Sequence, residues 1–450
     1  MFRRLLVANR GEVAVRIARA ARAVGVAPVG VVSTADAGAP WTEEFDDVVC
    51  VGGPAPSESY LRMGALVQAA VQTGCSAVHP GWGFLAENAR FAALCEQHGL
   101  TFVGPHSSTM DRMGLKWPSK VAMRAAGLDL TPGSDGLLAS VEEAVEIAER
   151  IGYPVILKAD AGGGGRGMRI CRSEADVREA YPAARAEAIS AFGNGALFLE
   201  KYVTGGRHIE VQVLGDHYGG AVHLFERECS IQRNHQKLIE ESPSPALSNE
   251  ERTALGERAA RAAASIGYVG AGTIEFLADP DTMRLSFMEM NTRLQVEHPV
   301  TELVTGVDIV REQLRIAARA AIGFSQSGVA LEGHAIECRI NAEDPSDGFR
   351  PTPGTLTAFD VPTDRGPGRI RIDTHVSEGS EIPPYYDSLL AKVIAHAASR
   401  DEAIETMVRA LEGAKIEGVA TTIPLHLAVL ASDAFQSGDY DTRSIPGWPA

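Results

Sequence analysis

The 450-residue sequence contains no run of about 18 apolar residues with which a helix could span a membrane. Positive charge is also short: 42 Lys and Arg face 58 Asp and Glu, a formal charge of −16. That balance argues against a general nucleic-acid or membrane-surface role, and any anionic substrate must be met by a local group of cations. Cysteine occurs only at 50, 75, 95, 171, 229 and 338, with no CxxC pair and no close-spaced framework. Reduced thiols in a reducing compartment are the simpler reading. The opening Met-Phe-Arg-Arg-Leu-Leu-Val-Ala-Asn lacks the apolar segment of a secretory signal and reads as the start of a strand. The expectation is a cytoplasmic chain with nothing to be cleaved. His208, His235 and His298 do not form a zinc spacing, and no GK[ST] follows the glycine-rich run.

What is present suits a soluble protein of two or three packed domains, given the length, 45% apolar content and 22% charge. Residues 4–9 read as a buried strand, Val13, Ile17, Ala21 and Val24 recur at helical spacing, and 28–33 read as a second strand. This βαβ unit predicts an open α/β domain over roughly the first 110 residues. A second region starts near Met113, with a helix at 140–150, a strand at 154–158 and then Ala-Gly-Gly-Gly-Gly-Arg-Gly-Met. Residues 325–333 resemble a connector, and alternating segments rich in Pro and Gly beyond it predict a largely β C-terminal domain ending in helices. There is no internal repeat.

Gly162 to Gly165 and Gly167 could let backbone amides approach a phosphate chain, with Lys158 supplying charge at a strand end; a flexible surface loop is the alternative. Residues 273–277 and 285–290 are strand-like and joined by Ala-Asp-Pro-Asp-Thr-Met-Arg. A hairpin centred on Thr282 sets Glu275 opposite Glu289, an arrangement of like charges best explained by a divalent cation between them, Mg²⁺ or Mn²⁺ for hard oxygen ligands. If the chain stays extended, Glu289, Asn291, Arg293, Gln295 and Glu297 share one face. A solvated polar face produces the same alternation. Cys229 reads as a packed residue rather than a nucleophile, and Arg233, His235 and Lys237 form a small basic cluster.

Taken together, Ala-Asn-Arg-Gly-Glu (8–12), His-Pro-Gly-Trp-Gly-Phe-Leu-Ala-Glu-Asn (79–88), the glycine loop, Glu-Cys-Ser-Ile-Gln-Arg-Asn-His-Gln-Lys (228–237) and Glu-Met-Asn-Thr-Arg-Leu-Gln-Val-Glu-His-Pro-Val-Thr-Glu (289–302) resemble biotin carboxylase. This is the ATP-grasp component of biotin-dependent carboxylases such as acetyl-CoA carboxylase. Glu-Cys-Arg-Ile-Asn-Ala-Glu-Asp-Pro (337–345) and Pro-Tyr-Tyr-Asp-Ser (384–388) extend the likeness over residues 2–440. It implies that ATP phosphorylates bicarbonate and that the resulting carboxyphosphate releases CO₂ to deprotonated biotin N1′. On the same resemblance Lys116, Lys158, Gly164, Gly165, Glu200, Lys201, Val203, His208, Gln232 and His235 would serve ATP. Glu275, Glu289 and Asn291 would hold the metal; Lys237, Arg293, Gln295 and Val296 would surround bicarbonate. Glu297 would be the general base, Arg339 would stabilise the biotin oxygen, and Trp82 would stack near biotin. Leu115, Trp117-Pro118 and the stretch from Trp41 to Asp47 depart from the family's usual sequence.

The expected architecture is an α/β and α+β multidomain protein. It comprises an N-terminal open α/β, Rossmann-like domain (1–112), an ATP-grasp domain (113–325) with a mobile lid near 131–203, and a largely β C-terminal domain (333–440). The chain has neither an Ala-Met-Lys-Met biotin-attachment motif nor a carboxyltransferase-sized region. The biotin carboxyl carrier protein and the carboxyltransferase are therefore expected on separate chains, with the resemblance implying a homodimer. The alternatives are another ATP-grasp carboxylate ligase and a catalytically silent nucleotide-binding regulatory subunit.

Overall fold

In a computed structural model describing residues 1–161 and 167–449, Leu5, Leu6 and Val7 lie wholly buried on β1 (Arg4–Val7). An unbroken apolar run of this kind is what a strand covered on both faces requires. Helix α1 (Gly11–Ala23) buries Val13, Ile17 and Ala21, as their spacing predicts, and leads to β2 (Ala27–Ser33). Strands β3 (Asp47–Gly52), β4 (Ala77–His79) and β5 (Thr101–Phe102) complete a parallel sheet in the order β3-β2-β1-β4-β5. Strand order reverses at β1, so residues 8–12 and 80–84 flank the crevice at the carboxyl ends of β1 and β4, where open α/β sheets receive ligands. Asn9 Nδ2 ties the two loops by donating to Pro80 O and Trp82 O, each at 2.7 Å. Gly81 permits this approach: its φ is +67°, and a Cβ there would stand 2.8 Å from Asn9 Nδ2.

Strands β6 (Val155–Ala159), β7 (Met168–Cys171) and β8 (Leu197–Lys201) form a separate antiparallel sheet in the order β7-β6-β8. Helices Val141–Ile151 and Glu174–Phe192 cover it, capped by Ser140 and Ser173, and Ala144, Val155, Leu157, Val177 and Leu199 give it its own core. Gly164 and Gly165 lie outside the described residues.

A large antiparallel sheet carries the rest. Its strands are β9 (Arg207–Gly215), β10 (Ala221–Arg233), β11 (Gln236–Ser242), β12 (Gly270–Ala278), β13 (Leu285–Asn291) and β14 (His334–Asn341), followed by Arg369–Thr374 and Leu389–Ala397. Spatially β13-β12-β9-β10-β11-β14 continue into Leu389–Ala397 and then Arg369–Thr374. The sheet therefore crosses the connector at 325–333: β11 pairs with β14, placing Glu240 opposite Glu337. Composition marks the connector, but only long-range pairing reveals that no hydrogen-bonding break accompanies it. Helices Arg400–Glu412, Ile423–Ala431 and Asp433–Ser437 end the chain and pack Met407, Leu411, Val429 and Phe435 onto this end of the sheet. Among the described residues no helix is long and apolar enough to cross a membrane.

Candidate active site

The β12–β13 hairpin has the register its sequence predicts, with Glu275 opposite Glu289 and a bulge immediately after Glu275. The two carboxylates have different surroundings. Glu275 is buried, accepts from Asn291 Nδ2 at 2.7 Å and from Lys237 Nζ at 3.2 Å, and lies 3.4 Å from His208 Nε2. Glu289 is 46% exposed at its side chain and receives Lys116 Nζ at 3.0 Å. Hard oxygens on opposed strands fit Mg²⁺ or Mn²⁺. His208, Glu210 and Glu275 also converge, their candidate donor atoms all within 4.8 Å of one another.

The expected extended face does not continue to Glu297. Strand β13 stops at Asn291, residues 292–297 form a loop, and helix His298–Thr305 begins with Pro299 in its first turn. Proline is favoured in a first turn because its missing N–H would have no intrahelical partner there. The loop gathers the same side chains by another route. Arg293 donates to Asn291 Oδ1 at 3.2 Å, Gln295 Oε1 at 2.8 Å and Glu87 Oε2 at 3.0 Å. Gln295 Nε2 is buried without a hydrogen-bond partner among the described residues. Glu297 is wholly buried and accepts from Lys237 Nζ at 2.5 Å and Arg339 Nη2 at 2.8 Å.

Lys237, on β11, thus meets carboxylates from three other segments: Glu210 of β9 at 2.5 Å, Glu275 of β12 and Glu297. Burial disfavours its charge, but these carboxylates outweigh burial and raise its pKa well above the lysine value. Burial likewise pushes the Glu297 carboxyl up, while Lys237, Arg339 and Arg227 prevail and hold it well below the usual range. His208 loses proton affinity to burial and regains more from Glu275, so its pKa is raised. Arg339 also donates to Glu240 Oε1 at 2.6 Å, bridging two carboxylates as a planar fork can.

Sequence reasoning missed Glu210, Arg227, Glu87 and Glu240. Arg227 is fully buried and donates to Glu210, Gln212, Thr301 and Thr273. Period-two alternation of His208, Glu210 and Gln212 along β9 carried part of the signal. Glu87 stood inside a recognised motif without being assigned a role.

On β8 of the small sheet, Glu200 binds Lys158 at 2.9 Å and also Lys120. Burial raises the Glu200 pKa, but the two lysines bring it down to about 2. The Lys201 ammonium donates to Gly152 O and Tyr153 O, each at 2.9 Å, and so secures the entry to β6. Val203 follows β8 half-buried. Gln232 Nε2 lies 2.8 Å from His208 Nδ1. His235 is not brought to the cluster: with Asn234 it forms the exposed two-residue turn between β10 and β11, at φ +66° and +49°. Positive φ at both positions is what a tight hairpin turn demands.

Trp82 donates its indole N–H to Glu12 Oε1 at 2.9 Å and, with Phe84, Asn9, His375 and Tyr386, lines a cavity of about 220 Å³. Cys229 is wholly buried, and burial pushes its thiol well up, which suits a packed residue. Two sequence departures serve packing: Trp41 is buried edge-on to Phe45, and Trp117 lies 6.2 Å from Phe198. Leu115 remains 38% exposed.

Comparison with known proteins places this geometry. Residues 1–110 match the biotin carboxylase N-terminal domain, 116–323 the ATP-binding domain of the carbamoyl-phosphate synthase L chain, and 337–446 the biotin carboxylase C-terminal domain. The chain is 50% identical to biotin carboxylase 1 of Bacillus subtilis, covering 99% of this chain and 98% of that one. Among solved structures, the biotin carboxylase domain dimer of Hydrogenobacter thermophilus 2-oxoglutarate carboxylase, in complex with MgADP, ADP and bicarbonate, is 49% identical. Its TM-score is 0.93, over 98% of this chain and 97% of that one. A Campylobacter jejuni biotin carboxylase–βγ-ATP complex is 45% identical, with a TM-score of 0.94 over 98% of both chains.

Proposed function

Because this chain belongs to the biotin carboxylase family and catalyses ATP- and bicarbonate-dependent carboxylation of biotin, we propose a division of labour among its buried charges. The comparisons support this activity and neither of the two alternatives. Lys116, Lys158, Glu200, Lys201, Val203, His208, Gln232 and His235 serve the nucleotide, with Gly164 and Gly165 over its phosphates. The small β7-β6-β8 sheet, within residues 131–203, is the lid that closes on them. Glu275, Glu289 and Asn291 hold Mg²⁺ or Mn²⁺, which when bound neutralises phosphate charge. Domains over 1–112, 113–325 and 333–440 complete the assignment.

The observation that carries the mechanism is the grip of Lys237 and Arg339 on the buried Glu297 carboxylate, beside Arg293 and Gln295 Nε2, which has no partner among the described residues. So held, Glu297 is ionised but a weak base. Bicarbonate entering among Lys237, Arg293, Gln295 and Val296 shares those cations, and the proton affinity of Glu297 rises as its own pairing weakens. Glu297 takes the bicarbonate proton, the freed oxygen attacks the γ-phosphorus, and the bond to ADP breaks. Carboxyphosphate then splits at its C–O bond into CO₂ and phosphate. Arg339 holds the biotin oxygen as N1′ gives its proton to the phosphate just released and attacks CO₂, with Trp82 beside the ring.

Biotin arrives on a separate carrier protein, a separate carboxyltransferase completes the reaction, and the chain works as a cytoplasmic homodimer, as the dimer of the H. thermophilus domain supports. Bicarbonate labelled with ¹⁸O tests the chemistry: label in the released phosphate is expected, and unlabelled phosphate would overturn the carboxyphosphate step.

A further inference from the structure

Lys392, on strand Leu389–Ala397, is wholly buried, far from the exposure lysine favours. Its ammonium donates to Val296 O at 2.9 Å, pairs with Glu12 Oε2 at 3.0 Å and stands 3.7 Å from Asp373 Oδ2. Arg371 holds Asp373 by two bonds of 2.7 Å, which leaves Glu12 as the nearer partner of Lys392. The other oxygen of Glu12 accepts the Trp82 indole N–H. One unbroken chain of contacts, Trp82–Glu12–Lys392–Val296, therefore joins the crevice of the parallel sheet to the loop that presents Glu297. Along the large sheet, Lys392 is also in register with Arg339 on β14.

A buried ion pair is poor evidence of stabilisation, since desolvating the charges offsets most of their attraction. The two ends of this chain give it another meaning. One end is the peptide carbonyl immediately before Glu297, and the other is the N–H that sets the plane of the Trp82 ring. We propose that Lys392 is a positioning residue for carboxylation, fixing the Val296–Glu297 peptide directly and the Trp82 ring through Glu12, so that the bicarbonate side and the biotin side keep one mutual geometry. The proposal rests on the assignment of Trp82 to biotin and of Val296 and Glu297 to bicarbonate.

The test uses the full chain with free biotin and measures kcat, the KM for biotin and for ATP, and thermal stability in Lys392→Met, Trp82→Phe and their combination. Lys392→Met is expected to lower kcat/KM for biotin by about tenfold or more, as misplacement of a reacting geometry does. The ATP KM stays within about twofold, and the double variant falls less than the product of the singles because both act through one chain of contacts. An unchanged biotin kcat/KM, a parallel loss in ATP KM, or singles that multiply fully would each overturn the proposal. If Lys392→Met fails to fold, Glu12→Gln with Trp82→Phe reads the same link: sub-multiplicative losses support it and multiplicative losses overturn it. Trp82→Ala separates the two levels. An unchanged biotin KM there removes the biotin assignment itself, whereas a raised KM together with multiplicative singles removes only the coupling.

Discussion

Replacing Glu297 with Gln keeps the shape of a wholly buried side chain and removes the negative charge between two cations. Leaving a buried charge with no partner costs about 3–5 kcal/mol. Here Lys237 retains Glu210 and Glu275, and Arg339 retains Glu240, so neither is stranded. The loss in stability is then nearer that of a charged hydrogen bond, about 1.5–3 kcal/mol, which a folded domain of this size survives. The catalytic loss is separate. A positioned general base contributes about 10²- to 10⁴-fold, or roughly 2.7–5.5 kcal/mol of barrier. Glu297→Gln should melt somewhat earlier, bind nucleotide with unchanged Kd by titration calorimetry, and release ADP in the presence of bicarbonate and biotin on the order of 10²-fold or more slowly. Wild-type turnover in a folded, nucleotide-binding variant would refute the assignment of the base.

Arg339→Lys keeps the charge but loses the fork that spans Glu240 and Glu297; biotin-dependent turnover should drop about tenfold or more with the ATP KM unchanged, and equal losses in both would contradict its biotin-side role. Glu289→Gln should raise the Mg²⁺ concentration for half-maximal rate by about tenfold, read from metal titrations, and no shift would remove Glu289 from the metal set. Burial lowers the pKa of His79 to about 3 and of His426 to about 4, from an ordinary 6.5. These two histidines therefore bind more protons in the unfolded chain than in the native one below pH 6.5, and each should remove about 1.4 kcal/mol of stability per pH unit as pH falls from there toward its folded value. Urea unfolding at pH 7 and pH 5 in the wild type and in His426→Gln checks this, because Glu240, pushed up to about 7 by burial, acts with the opposite sign over the same range in both proteins; an identical pH dependence in the two would contradict the histidine contribution.

Local patterns exposed much of this molecule in its sequence. The β1–α1–β2 unit, the helix near 140–150 and the register of Glu275 against Glu289 follow from apolar period and hairpin length, which act over a few residues. Extending the strand past Asn291 failed because a first-turn proline begins a helix at 298, and periodicity alone does not register that competition. Glu210, Arg227 and Glu240 escaped notice because their meaning comes from strands distant in sequence: Lys237 is joined to Glu210 only when β11, β10 and β9 lie side by side. The chemistry of bicarbonate and biotin was legible only through family resemblance, since alternating charges do not name a substrate.

The most direct test is ATP cleavage by the purified chain, measured as ADP release with and without bicarbonate and with and without free biotin. Release that requires bicarbonate and rises when biotin is added is the expected result. Folded, nucleotide-binding protein whose ADP release ignores both would contradict the central claim.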